Sequence, residues 1–246
     1  MKTDWDYSER AHTYDKRADY SYEAISELIK NTNCDKNSLI ADIGAGTGKL
    51  TKILVSYDLK VNAVEPNDNM RMYGIKNTEG MRVNWSEGVG ENTGLQSESV
   101  NAAFFGSSFN VVNTEKTLME VSRILKAKGW FSCMWNHRDT EDKLQKEIEK
   151  IIFKYIPNYS YGSRRTDPSQ TILSSKNFNK VEKISKGFSV DMKRQDIIEA
   201  WESHDTLYRQ SNGKFKDIIK AISELLTEDV YSIPYNTRIW FSQIEK

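Results

Sequence analysis

Residues 39–67, LIADIGAGTGKLTKILVSYDLKVNAVEPN, constrain the fold more than any other stretch. A short apolar run from Leu39 to Ile43 enters three glycines, Gly44, Gly46 and Gly48, and passes directly into a helix-period segment from Lys49 to Tyr57. A second apolar run, Val61 to Val64, ends on Glu65, about twenty residues past the first glycine, where a parallel neighbouring strand would finish. The pattern predicts a β-α-β unit with an acid at the tip of its second strand.

Each residue type has a physical job there. Glycine turns at positive φ and lets a ligand approach bare backbone without meeting a Cβ. A carboxylate at the next strand tip can accept both hydrogen bonds of a ribose diol. The dinucleotide fingerprint G-x-G-x-x-G needs glycine where the chain has Lys49, and the phosphate-loop pattern needs Ser or Thr where it has Leu50. Asp42, just before the first glycine, would repel a pyrophosphate and welcome a cation. The unit therefore points to a nucleoside carrying a positively charged sulfonium.

The segment Asp42-Ile43-Gly44-Ala45-Gly46-Thr47-Gly48, followed by Val64-Glu65-Pro66-Asn67-Asp68-Asn69-Met70, resembles the class I S-adenosylmethionine-dependent methyltransferases. The N-terminal segment, with Tyr7, Tyr14-Asp15 and Arg17-Ala18-Asp19-Tyr20, is similar to the lid of the small-molecule, trans-aconitate type, although Ala18 and Ser21 stand where prolines are usual. The resemblance implies an α/β fold. It would be a doubly wound, Rossmann-like, seven-stranded and mostly parallel sheet, with an antiparallel last strand, an N-terminal helical lid and a helical insertion after strand five. One domain over residues 1–246 is expected, with a lid over 1–30, a cofactor-binding core over 36–138, an acceptor-side cap over 139–230 and a closing strand over 231–246.

Carried over residue by residue, the resemblance implies a cofactor site of Tyr14, Arg17, Asp42, Gly44, Ala45, Gly46, Gly48, Glu65, Pro66, Asn67, Met70, Gly90, Glu91, Asn92, Ser107, Ser108 and Phe109, with S-adenosylmethionine as cofactor. Gly90-Glu91 follows the third predicted strand, Met81 to Trp85, where a small residue and an acid flank adenine in that family. Ser107 to Phe109 follow the apolar run Val100 to Phe105, at the carboxyl edge where open α/β sheets bind ligands. The acceptor side is expected to use Tyr7, Tyr20, Asn110, Trp135 and Arg138. His137, at the end of the predicted strand Trp130 to Trp135, is the candidate base, since it alone of His12, His137 and His204 sits at such a strand end. A carboxylate acceptor would need no base and would call for arginines, with Arg17, Arg138, Arg164 and Arg165 as candidates. No metal is expected, because no ligand motif is present.

The remaining elements follow from periodicity. Tyr22, Ile25, Leu28 and Ile29 predict an amphipathic helix. Asn67 is the expected N-cap of a helix over 67–76, and Thr114 that of a helix over 114–126 which Gly129 stops. Helices are further expected over 143–155, 194–203 and 214–226, a polar loop over 157–169, and strands over 181–190 and 233–243.

Composition narrows the partners. Lys plus Arg equals Asp plus Glu at 35 each, so no charge bias favours nucleic acid or an anionic membrane, and a small-molecule acceptor is expected of a monomer or homodimer. The N-terminus has no apolar signal core, which suggests a cytoplasmic chain. Cys34 and Cys133 read as free thiols. Two other readings stay open: a nicotinamide-dependent oxidoreductase, and a non-catalytic nucleoside-binding module.

Overall fold

A computed structural model describes residues 16–246; Tyr7, His12 and Tyr14 lie outside them. Seven strands form one sheet in the order β3-β2-β1-β4-β5-β7-β6. The strands are β1 (Leu39–Ile43), β2 (Lys60–Val64), β3 (Val83–Ser86), β4 (Val100–Gly106), β5 (Leu125–Arg138), β6 (Glu182–Lys193) and β7 (Val230–Gln243). Strands β1 to β5 pair in parallel, and β7 runs antiparallel between β5 and β6. The order reverses between β1 and β4, and that crevice at the strands' carboxyl ends is where such sheets bind ligands.

Helices α1 (Tyr22–Asn31), α2 (Lys49–Ser56), α3 (Asp68–Asn77) and α4 (Thr114–Ile124) flank the parallel half. The two faces of the sheet build separate cores by the period-two rule. Ala41, Ile43, Ala103, Phe105, Phe131, Cys133 and Trp135 point to one side with Leu118 and Val121 of α4. Ile40, Ala102, Phe104 and Met134 point to the other with Ile25 and Leu28 of α1 and Ile53 of α2. Strand β4 is buried on both faces except at Asn101 and Gly106, which is why it reads as a nearly unbroken apolar run.

Several boundaries differ from the sequence reading for local reasons. In α1 the buried face is Ala24, Ile25 and Leu28, whereas Tyr22 is 56 % exposed, its backbone carbonyl accepting from the Tyr57 hydroxyl. Helix α3 begins after the expected N-cap, Asn67, whose side chain accepts from the Met70 N–H at 3.0 Å. Helix α4 is capped one residue earlier than expected, by Asn113 and not Thr114.

That helix also ends five residues before Gly129, because Leu125 turns extended and enters β5. Gly129 serves the register shift between β4 and β5, where a Cβ would lie 2.9 Å from the Lys126 carbonyl and 3.1 Å from that of Asn101. Strand β3 is two residues later at its start than predicted, and β7 starts three residues earlier. Asn113→Ala should cost about 1 kcal/mol through the lost cap, read as a drop of about 2 to 4 °C in the thermal midpoint.

Between β5 and β7 the chain builds a cap. It holds α5 (Lys143–Tyr155), a 3-10 turn (Gly162–Arg165), α6 (Ser169–Leu173), then β6, α7 (Arg194–Glu202), α8 (Asp205–Gln210) and α9 (Phe215–Leu225). Ile148, Ile152, Ile197, Ile198, Ile218 and Ile222 form its own apolar cluster, together with Trp201, Leu207 and Ile233. Helices α6 and α8 fall in stretches that periodicity alone left irregular. Cys34 and Cys133 are both free thiols, and no helix among the described residues is long and apolar enough to cross a membrane.

Candidate functional site

The glycine turn carries φ values of +70° at Gly44, +59° at Gly46 and +84° at Gly48. Gly44 is required sterically as well, since a Cβ there would sit 2.5 Å from the Ser108 Cβ. The Ser108 hydroxyl donates to the Ile43 carbonyl at 2.6 Å and so locks the end of β4 against the end of β1. Ser107 takes φ +60°, and its hydroxyl pairs with that of Tyr20 at 2.9 Å.

Two carboxyl groups meet this turn. Asp42 is fully buried; its Oδ2 accepts from the Thr51 hydroxyl at 2.6 Å, while Oδ1 has no partner. Burial raises its pKa to about 7, against the pull of the Thr51 hydroxyl, and the neighbouring Glu65 charge adds to the rise. Glu65 is 7 % exposed and accepts from the Gly46 N–H and the Asn67 N–H, each at 2.9 Å. Burial pushes its carboxyl above the ordinary range, and those two N–H groups and Arg71 draw it back. Its two oxygens carry about four lone-pair sites, so bracing the turn leaves sites for further donors.

From the turn a cavity open to solvent runs beneath the cap. Asp42, Gly44, Ala45, Gly46, Thr47 and Ser107 line one end. The other end is lined by Asn136, His137 and Arg138 of β5, by Gln145, Ile148 and Glu149 of α5, by Tyr161, Arg164 and Arg165, by Trp201 and His204, and by Tyr235 of β7.

The segment 17–21 is stitched across the mouth. Arg17 donates to the Ser203 hydroxyl at 2.9 Å and to the Ser203 carbonyl. The Asn136 amide donates to the Asp19 carbonyl at 2.8 Å, and Lys49 pairs with the Asp19 carboxylate at 2.8 Å.

His137 reaches the cavity, as its strand ending implies. Its Nε2 bonds the Arg164 carbonyl at 2.9 Å, so Nε2 carries the proton, and Nδ1 is buried without a partner. Burial lowers its pKa to about 4, only partly offset by that carbonyl, with the charges of Arg238, Arg165 and Arg164 lowering it further. The imidazole is neutral and weakly basic at pH 7 and ties down the 162–165 turn.

A group whose folded pKa lies below its unfolded value adds stability that is complete above the unfolded pKa, near 6.5, and is lost as pH falls towards 4. His137→Gln keeps an N–H donor but cannot titrate, so its thermal midpoint should fall less than the parent's between pH 6.5 and 4, by a few degrees.

The other expected residues divide clearly. Arg17, Asp42, Gly44, Ala45, Gly46, Ser107, Tyr20 and Arg138 line the cavity together. Gly48 is the left-handed N-cap of α2 outside that lining, and Met70 is buried with its methyl 3.3 Å from where a Gly46 Cβ would stand. Pro66 and Asn67 sit at the start of α3.

Gly90 packs on Thr117 and Val112, and Glu91 accepts from the Asn113 N–H at 2.6 Å. Asn92 closes a bridge with Val89. Phe109 packs in the core against Phe105 and Phe131. Trp135 and Asn110 do not line the cavity; the Trp135 indole N–H donates to the Asn110 amide oxygen at 2.8 Å, and its ring packs on Trp240.

Sequence reasoning did not single out Gln145, Glu149, Trp201 or His204 for the site. Gln145, Ile148 and Glu149 do recur at i, i+3 and i+4, a helix-face signal that was available. Trp201 and His204 offered none, because their rings meet the wall only through packing of the cap.

Comparison with known proteins agrees with this geometry. Residues 41–133 match a family model described as a methyltransferase domain. The chain is 23 % identical to an uncharacterized methyltransferase-like protein of Schizosaccharomyces pombe, over 86 % of this chain and 84 % of that one. It is 28 % identical to a probable S-adenosylmethionine-dependent methyltransferase of Saccharomyces cerevisiae, over 67 % of this chain but only 58 % of that protein. A structure from Anaeromyxobacter dehalogenans, proposed to be a type II methyltransferase, superposes with a TM-score of 0.65 at 14 % identity, covering 92 % of this chain and 97 % of the other. Sheet order, glycine turn and the match to a methyltransferase domain over residues 41–133 together support a class I S-adenosylmethionine-dependent methyltransferase.

Proposed function

We propose that the chain transfers a methyl group from S-adenosylmethionine to a small molecule bound under the cap. The observation that carries this reading is one continuous cavity lined at one end by Asp42 and the glycine turn and at the other by the residues of the cap. The residues at the near end fit the group. Asp42 Oδ1 is a buried acceptor with no partner, and the turn is bare at Gly46, where even a Cβ would press on Met70. Asp42 and the turn's backbone would hold the cationic end, Glu65 the ribose and the Gly90-Glu91 turn the adenine. The bound cofactor supplies a methyl group activated by a positively charged sulfur. The chain's own residues position the acceptor and exclude water, with the Arg17 to Ser203 and Asn136 to Asp19 bonds keeping the 17–21 segment over the mouth.

Calorimetric titration tests it. S-adenosylmethionine and its demethylated product should both bind saturably, and reduced nicotinamide dinucleotide should not. No binding to a folded sample defeats the reading. A pH series adds a signed expectation. A cation favours the charged form of Asp42, whose pKa stands near 7 without it, so affinity should rise as pH increases from 6 to 8 and a proton should be released on binding below 7. Asp42→Asn should bind about tenfold more weakly at pH 8, with a flatter profile.

A further inference from the structure

The far wall of the cavity is rich in cations. Arg17, Lys49, Arg138, Arg164 and Arg165 line the cavity against the two acids Asp42 and Glu149. Two of the positive charges have local partners of their own: Lys49 pairs with Asp19 and Arg17 bonds Ser203. The Arg164 backbone carbonyl is fixed by His137. Glu149 accepts from the Tyr161 hydroxyl.

Arg138 and Arg165 are held differently. The Arg138 guanidinium lies 4.3 Å from the Trp201 ring centre and 5.8 Å from that of Tyr235, and the Arg165 guanidinium lies 3.9 Å above Tyr161. Among the described residues, no carboxylate bridges either group. A guanidinium covered on its face by an aromatic ring keeps its planar edge of N–H donors pointing outward, the geometry that suits bidentate bonds to an oxyanion. Two partly buried cations without a counter-ion are costly to keep there unless an anion completes the site.

We propose that the acceptor is a small organic oxyanion with a flat body, its charged group held by the edges of Arg138 and Arg165 and its body lying along Trp201 and Tyr235. This deepens the methyl-transfer reading and rests on it. Further support comes from what the wall lacks. His137 gives its proton to a backbone carbonyl and is a weak base, and burial together with the charges of Arg164, Arg17 and Arg138 holds His204 well below its usual pKa. The Tyr161 hydroxyl is raised by burial and by its bond to Glu149. An acceptor that arrives already deprotonated asks for no base.

The test is calorimetric titration of the protein, saturated with the demethylated cofactor, using phenylacetate, phenyl phosphate, phenylacetamide and phenethylamine. At least one anion should bind saturably, with the amide and the amine at least about tenfold weaker, and the stronger anion tells a carboxylate from a phosphate site. Arg138→Gln and Arg165→Gln should each weaken that anion about tenfold while leaving binding of the demethylated cofactor unchanged. Should either variant fail to fold, added potassium chloride on the parent protein decides: affinity for the anion must fall as salt rises. Binding of the amide or amine as tight as that of the anions, no saturable anion binding, or a salt-independent affinity overturns the proposal. Failure of the demethylated cofactor itself to bind would instead defeat the methyl-transfer reading, whatever the anions do.

Discussion

Glu65→Ala is expected to bind the demethylated cofactor at least about a hundredfold more weakly than the parent protein, while remaining folded. Two effects combine. The carboxylate holds the Gly46 and Asn67 N–H groups, so its loss frees both the glycine turn and the start of α3. Under the proposed function its remaining lone pairs would be the acceptors for a ribose diol. Hydrogen bonds to a charged group are worth about 1.5 to 3 kcal/mol each, so losing two ligand bonds gives about 3 kcal/mol or more, which is a hundredfold or greater change in affinity. Glu65→Gln, which keeps one carbonyl oxygen as acceptor, should fall between the two. Calorimetry reads the affinity and urea titration confirms folding. Full affinity in Glu65→Ala would mean that the sugar is held elsewhere.

Gly44→Ala is expected to cost about 2 to 5 kcal/mol in urea titration. A Cβ would stand 2.5 Å from the Ser108 Cβ and 2.9 Å from its oxygen, forcing out the side chain whose hydroxyl bonds Ile43. Overpacking of this kind costs about 1 to 3 kcal/mol and a left-handed non-glycine residue about 1 to 2 more. The double variant Gly44→Ala with Ser108→Gly separates the two contributions. Removing the Ser108 side chain should restore the steric part and leave the backbone part. If it restores nothing, the crowding account fails.

Sequence reading reached the glycine turn and its two acids because that unit is local. Three glycines at positive φ, an acid before them and an acid one strand later all lie within one contiguous unit, and each is marked by its residue type. The same reading placed Asn67 as a cap, because Asn followed by a helical pattern is a direct backbone signal. It missed by one residue at Asn113 because Thr114 is chemically almost as good a cap. It took Gly129 for a helix stop when the glycine serves a register shift between strands, a fact that exists only once β4 and β5 are paired. Trp135 and Asn110 have the residue types of a binding site, yet they bond each other on the core side, and no pattern in the chain announces which face a strand-end aromatic takes. The far wall of the cavity was least legible. Arg138 and Arg165 were candidates by residue type, but Trp201 and Tyr235 lie far from them in sequence and join them only through the packing of the cap.

The ladder between β5 and β7 pairs Arg138 with Tyr235 and His137 with Asn236, so the polypeptide leaves β5 and meets it again at adjacent points. Between them only β6 returns to the sheet, along the outer side of β7, and the helices are a detour with a closed base. Such a detour is free to lengthen, shorten or exchange its helices over evolutionary time without shifting the glycine turn, and preference for one acceptor over another should diversify faster among relatives than recognition of the methyl donor.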